Sequence, residues 1–258
     1  MSKIGAPLFI FRYECEKDLM AVIEKLSEIG YDGIEFFGFF GHTPSDIKRK
    51  LDSCRISAIG NHVPFDEFVS STDTVIADHK ELGCKYISIL PPCADGFPGG
   101  CNYSSTLNSL RLIGEKMNKA GMTLLYHNHA EELQSSYNGK SYLHNIMDDV
   151  APDLMSFEPD LGWMQIGGAE PMDYLAKYAN RCPVVHFKDY IPGGEAGYIF
   201  RPTGYGVVNN AALYQETQTY DKKPEWYVLD HDCAYDRDIY YDMKISLEYF
   251  ENLMFVSR

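Results

Sequence analysis

Apolar and polar positions along this chain switch about eight times between alternation over a few residues and a three-to-four-residue repeat, and each switch marks a strand followed by a helix. Lys3 to Phe11 reads as a first strand. Glu16 to Ile29, with Leu19, Val22, Ile23, Leu26 and Ile29 on one face, reads as an amphipathic helix ended by Gly30. Gly33 to Phe37, Ile56 to His62 and Lys85 to Leu90 are the next strands. Between them lie the helices Pro44 to Cys54, with Thr43 as its N-cap, and Asp73 to Leu82, ended by Gly83. The second half repeats the unit with strands at Met122 to His129, Leu154 to Asp160, Pro183 to Lys188 and Glu225 to His231. Its helices are Thr106 to Ala120, Ser141 to Val150, Pro171 to Tyr178, Ala211 to Gln218 and Tyr240 to Phe255. The Gly- and Pro-rich loop Pro91 to Asn102 has the composition of a lid, but no single residue in it argues for one.

Eight strand–helix units in 258 residues predict a single-domain α/β fold over residues 1–258, a (β/α)8 TIM barrel. A doubly wound open sheet would announce itself with a Gly-rich phosphate turn after the first strand, and the sequence has none there.

Strand parity then selects the inward side chains. Leu124 and Tyr126, Met155 and Phe157, Val185 and Phe187, and Tyr227 and Leu229 pack under helices, with His231 on their parity. That leaves His127 and His129, Ser156, Glu158 and Asp160, His186 and Lys188, and Val228 and Asp230 facing in. Glu35 and His62 face in by the same test with a less regular alternation. Four consecutive strands therefore bring His127, Asp160, His186 and Asp230 to the C-terminal mouth, where barrel active sites sit. Two imidazoles and two carboxylates without a thiolate suit a divalent ion such as Mn²⁺, Zn²⁺, Co²⁺, Fe²⁺ or Mg²⁺ and do not single out zinc.

A lone inward histidine is more often a satisfied core or rim residue than a ligand, and His42, His79 and His144 are expected at the surface. Asp230 and Asp232 around His231 also fit a solvated rim, and Lys188 beside Asp189 fits a simple ion pair. Clustering shifts the balance: His62, His127, His129, His186 and His231, five of the eight histidines, fall at predicted strand ends on one rim.

Composition narrows the chemistry. A net charge of −14 would repel a phosphate backbone, so no nucleic-acid partner is expected. No apolar run reaches the ~18 residues of a membrane span, and Met1 to Tyr13 lacks the pattern of a signal peptide. Seven scattered cysteines without a Cys-x-x-Cys pair fit reduced thiols in the cytoplasm. A small-molecule substrate is the expectation.

The set Tyr126-His127-Asn128-His129, Glu158-Pro159-Asp160-Leu161-Gly162-Trp163, Gly167-Gly168, His186-Phe187-Lys188-Asp189, Gly204-Tyr205-Gly206 and Asp230-His231-Asp232 resembles the xylose isomerase-like TIM barrel superfamily. Within it the chain is similar to the sugar phosphate isomerase/epimerase branch whose fifth strand ends in His-Asn-His. The resemblance is strongest from Met122 onward, with Gly33-Ile34-Glu35 as a weaker echo. It implies one divalent metal on late strands and proton transfer next to the carbonyl of a sugar or polyol. It also leaves a homo-oligomer open, since similar barrels are commonly dimers or tetramers. Four positions depart from the pattern. His127 and Asp230 stand where typical epimerases carry the glutamate pair that shuttles the proton. Trp163 replaces a frequent histidine, which argues against the three-zinc endonucleases of this fold. Tyr205 replaces a frequent acidic residue.

These residues predict a metal-dependent isomerase or epimerase acting on a sugar, sugar phosphate or keto sugar. Asp230, His129 or Lys188 is the acid or base, Glu35, His62 and Glu158 order hydroxyls, and Arg201 holds a carboxylate or phosphate. Loss of the glutamate pair keeps a metal-dependent lyase or dehydratase on a keto sugar as the alternative. A sugar-binding barrel with a decayed site is the non-catalytic alternative.

Overall fold

The structure, a computed structural model, describes residues 2–256. Eight parallel strands form the wall of a barrel. They are β1 (Lys3–Pro7), β2 (Gly33–Phe36), β3 (Ser57–Val63), β4 (Tyr86–Ile89), β5 (Thr123–His127), β6 (Ser156–Glu158), β7 (Val184–Pro192) and β8 (Trp226–Asp230). Each pairs in parallel with the next, and β8 pairs with β1. Closure between β6 and β7 rests on one parallel bridge, Asp160 to His186, and on the His186 N–H donating to the Pro159 carbonyl at 2.9 Å. The seam of the barrel thus runs through two candidate site residues.

Parity is as the sequence predicts. Ile59, Tyr86, Leu125, Val184, Trp226 and Val228 fill the lower interior, while Leu124, Tyr126, Phe157, Val185, Phe187, Tyr227 and Leu229 belong to the larger core under the helices. The lower plug is largely apolar, and the inward-facing histidines, Lys188 and Asp230 collect above it, at the C-terminal ends.

Strand limits are where the sequence reading errs. Lys3 to Phe11 contains only a five-residue strand, because Leu8 to Phe11 turns directly into the helix Arg12–Ile29. The sixth strand shrinks to Ser156–Glu158, and Asp160 instead caps the short helix Leu161–Ile166 by accepting from the Trp163 N–H at 2.8 Å. The seventh runs on past Lys188 to Pro192 and pairs antiparallel with Tyr198–Arg201, a strand absent from the prediction. Thr43 caps Pro44–Cys54 as expected. The Pro91 to Asn102 segment holds only a short turn of helix, Ala94–Gly96.

Candidate active site

A cavity of about 390 Å³ opens above the apolar plug. Glu35, His62, His127, His129, Trp163, His186, Lys188, Asp230 and Asp232 are among the side chains that line it. Glu158 and Asp160, fully buried, adjoin them through His62 and Lys188.

Irregularity on β3 brings His62 in. β3 carries one extra residue, Ile59, opposite Ile34 and Glu35, and this bulge lets Ile59 and His62 both face the interior although they are three apart. Asn61 turns outward and meets His79 Nε2 at 2.7 Å. His79 is therefore not the surface residue the sequence suggests: it is 4% exposed, and its Nδ1 also contacts the Val75 carbonyl at 2.6 Å.

Two overlapping groups of donors could hold a metal ion, each with its ligand atoms within 4.8 Å of one another. The outer quartet is His127, Asp160, His186 and Asp230, as the strand order predicts. The inner one is His62, His127, Glu158 and His186. His127 and His186 belong to both through different nitrogens. His186 Nδ1 lies 3.1 Å from Asp230 Oδ2 and its Nε2 2.8 Å from Glu35 Oε2. His127 Nδ1 lies 3.2 Å from Glu158 Oε2 and its Nε2 3.9 Å from Asp160 Oδ2.

Lys188 distinguishes the two groups. Its ammonium, 1% exposed, sits 2.8 Å from Asp160 Oδ2, 2.9 Å from Asp230 Oδ2 and 2.8 Å from Asp232 Oδ1. Trp163 covers it with its ring centroid at 4.8 Å, and Phe200 lies at 5.4 Å. This is not the Lys188–Asp189 ion pair that sequence adjacency suggests. Asp189 points the other way and accepts from the N–H groups of Tyr190, Gly204, Gly206 and Val208 and from Asn210 Nδ2.

Electrostatics follow from burial and neighbours. Burial opposes charge on Lys188, but Asp160, Asp230 and Asp232 outweigh it and hold the ammonium protonated. Burial opposes charge on Asp230 too, and Lys188 and His186 override it, so this carboxyl stays well below its usual range. Asp160 goes the other way. Burial pushes it to about 7 against the pull of Lys188, and the neighbouring Asp230 charge adds to the rise. Burial, helped by the Lys188 charge, drops His129 to about 3, so its imidazole is neutral. For His62, burial is overcome by Glu35 and Glu158, which raise it to about 10.

A divalent cation fits this donor set. Five carboxylates, Glu35, Glu158, Asp160, Asp230 and Asp232, share the cluster with one permanent cation, Lys188. Both Glu35 oxygens, Glu158 Oε1, Asp160 Oδ2 and His186 Nε2 are buried without a hydrogen-bond partner. Unpartnered buried charge costs several kcal/mol unless a cation or protons answer it.

One predicted member lies elsewhere. Arg201 stands on the antiparallel strand, bonds the Phe200 carbonyl at 3.1 Å, and borders a separate surface hollow with Tyr198, Tyr235 and Arg237. The hairpin carries it past the mouth, a displacement that strand parity does not show. His231 is buried on the helix side, 3.1 Å from Arg237 and 3.8 Å from Asp242, so four of the five clustered histidines reach the cavity. Asp232 and Trp163 were missing from the predicted site. Asp232 shares the parity of Asp230, which was the signal for it. For Trp163 the sequence offers none beyond its place after Asp160. Glu132 was missed as well: its carboxylate accepts from the His129 backbone N–H at 3.1 Å and from Tyr126 Oη at 3.2 Å, fixing the turn that presents His129.

The shape of this barrel is shared. The crystal structure of a sugar phosphate isomerase/epimerase from Parabacteroides distasonis superposes with a TM-score of 0.78 at 20% identity, covering 97% of this chain and 94% of that one. A probable 3-DHS dehydratase from Bacillus anthracis gives 0.75 at 15% identity over 97% of this chain and 99% of its own. An inosose dehydratase from Geobacillus kaustophilus is 22% identical over 193 residues, 65% of this chain. The match spans 61% of that relative's length. Residues 23–221 match the family described as xylose isomerase-like TIM barrel, and the chain belongs to that family.

Proposed function

We propose that this protein is a divalent-metal-dependent isomerase or epimerase that moves a proton next to the carbonyl of a keto sugar, sugar phosphate or keto polyol, working in the cytoplasm. The observation that carries this reading is one cavity that joins a protonated lysine, an ionised aspartate, a neutral histidine and donors for a cation. A bound ion would polarise the carbonyl oxygen as a Lewis acid. Lys188, fixed in its charged form, donates a proton or a hydrogen bond to an oxygen on which negative charge develops. Asp230 and His129, both unprotonated, stand on the cavity wall as acceptors for a carbon-bound proton. Glu35, His62 and Glu158 close the inner end, where polyol hydroxyls or the ion find acceptors. Trp163 offers an apolar face for a sugar ring and an indole N–H without a partner. The outer quartet, His127, Asp160, His186 and Asp230, is the ligand set that strand order and family pattern favour. Entry of an ion there requires Lys188 to leave both aspartates.

Elimination of water is the second reading, and Lys188 is what favours it. A fixed ammonium beside a carboxylate protonates a departing hydroxyl from the side on which the carbon proton leaves, and inversion needs groups on both faces. The dehydratases among the relatives agree with this alternative. Incubating the metal-loaded protein with an inosose, 3-ketohexoses and ketose phosphates decides the matter by product mass. Isomers of unchanged mass support the first reading and products lighter by one water the second. Return of every substrate unaltered contradicts both.

A further inference from the structure

Lys188 fills the outer quartet with a charge of its own, while among the described residues no lysine or arginine pairs with the donors of the other set. The two oxygens of the outer set that face its histidines, Asp160 Oδ2 and Asp230 Oδ2, are also the two that touch the Lys188 ammonium, at 2.8 and 2.9 Å. Beside them, Glu35 Oε1 and Oε2, Glu158 Oε1 and His186 Nε2 are buried without an aligned hydrogen bond, on side chains no more than 2% exposed. His186 Nδ1 faces Asp230 Oδ2 at 3.1 Å, so a proton placed there leaves Nε2 as a bare lone pair. That nitrogen comes within 2.8 Å of Glu35 Oε2 with no aligned hydrogen bond between them.

Spacing supports the same position. His62 Nε2 lies 3.2 Å from Glu35 Oε2 and 3.0 Å from Glu158 Oε2, and His186 Nε2 lies 2.8 Å from Glu35 Oε2 and 3.7 Å from Glu158 Oε1. With metal–ligand bonds of about 2.1 Å, the edges of an octahedron or tetrahedron are about 3.0 and 3.4 Å, so these separations are those of neighbouring ligands on one ion.

We infer that the divalent ion of this protein is bound by the inner quartet, His62, His127, Glu158 and His186, with Glu35 as a further donor, and that Lys188 takes the cation position at Asp160 and Asp230. This rests on the metal dependence proposed above and changes where the ion sits. Asp230 then acts from outside, orienting His186 through Nδ1 as carboxylates behind ligating histidines do.

His62 and Glu158 belong only to the inner set, and Asp160 and Asp230 only to the outer, so isosteric variants separate the two. The experiment is Mn²⁺ binding, followed by electron paramagnetic resonance and elemental analysis, on the full chain and on His62→Gln, Glu158→Gln, Asp160→Asn and Asp230→Asn. The inference expects losses of about 1000-fold or more in affinity for the first pair and no more than the roughly 10–100-fold of an outer-shell change for the second. The reverse pattern overturns it while leaving metal dependence standing. A wild-type protein that binds neither Mn²⁺ nor Co²⁺ overturns both. Lys188→Met supplies a check independent of those four folds: removing the ammonium from Asp160 and Asp230 raises Mn²⁺ affinity by about 100-fold or more if the ion competes with it for the outer set, and by about 10-fold or less if the ion lies in the inner set.

Discussion

Asp189 and Glu35 are both buried carboxylates at the top of the same barrel, 0% and 2% exposed, and their surroundings are opposite. Asp189 receives four backbone N–H groups and the Asn210 amide, and so needs no counter-ion. The chain is shaped to allow this. A Cβ on Gly206 would fall 2.1 Å from Asp189 Oδ1, so only glycine brings that N–H close enough. Glu35 receives no aligned hydrogen bond on either oxygen. The first arrangement ties the Gly204 to Val208 loop to β7 and is structural. The second leaves the carboxylate facing two imidazoles, His62 and His186, with no aligned hydrogen bond to fix it, a cost that a folded chain bears where chemistry requires it.

Substitutions at the two kinds of carboxylate should part activity from stability. Glu158→Gln is expected to have the largest effect, lowering kcat by about 10³-fold in an assay of carbon–hydrogen exchange, because it removes a donor the site cannot replace. A variant that keeps its rate breaks the comparison.

Lys188→Met comes next. It strips two buried carboxylates, Asp160 and Asp230, and the partly exposed Asp232 of their cation and should cost about 3–5 kcal/mol in denaturant titrations near neutral pH. The loss has a sign in pH. Without the ammonium the folded carboxyls bind protons more readily than the unfolded ones, so stability should recover as pH falls and worsen as it rises.

Asp189→Asn should cost about 2–4 kcal/mol, since the amide keeps one acceptor and turns an N–H₂ toward donors. Its readout is chemical denaturation with metal affinity unchanged.

The smallest effect concerns Glu132, which burial raises to about 7 against the hydrogen bonds it accepts. A carboxyl raised in the folded state favours folding below its unfolded pKa, and that contribution is lost as pH rises from about 4.5 to about 7, on the order of 2–3 kcal/mol. Glu132→Gln should flatten this part of the pH–stability curve, which thermal melts across the window would show.

Much of the fold was legible because barrel strands bury one apolar parity under helices. The alternation at Leu124, Tyr126, Val185, Phe187, Tyr227 and Leu229 was enough to turn His127, His186 and Asp230 inward. Where backbone departs from regular alternation, the sequence was a poorer guide. The bulge at Ile59 admits His62 by a route no parity rule contains, and the hairpin after Lys188 carries Arg201 out of the cavity. His79 looked like a surface residue because its helix period says nothing of Asn61 reaching it from β3. The donors were readable, but their pairing was not. That Lys188 would lie on Asp160, Asp230 and Asp232 rather than on its neighbour Asp189 depends on three dimensions, and it separates the two candidate ion positions.

Exchange of solvent deuterium into a keto sugar or inosose is the most direct test of proton transfer next to a carbonyl. Metal-loaded protein in D₂O should place deuterium on the carbon beside the carbonyl, and chelator treatment or Glu158→Gln should abolish it. A sugar that binds in the cavity yet never acquires deuterium with Mn²⁺, Co²⁺, Zn²⁺, Fe²⁺ or Mg²⁺ would contradict the account and make the barrel a binding protein.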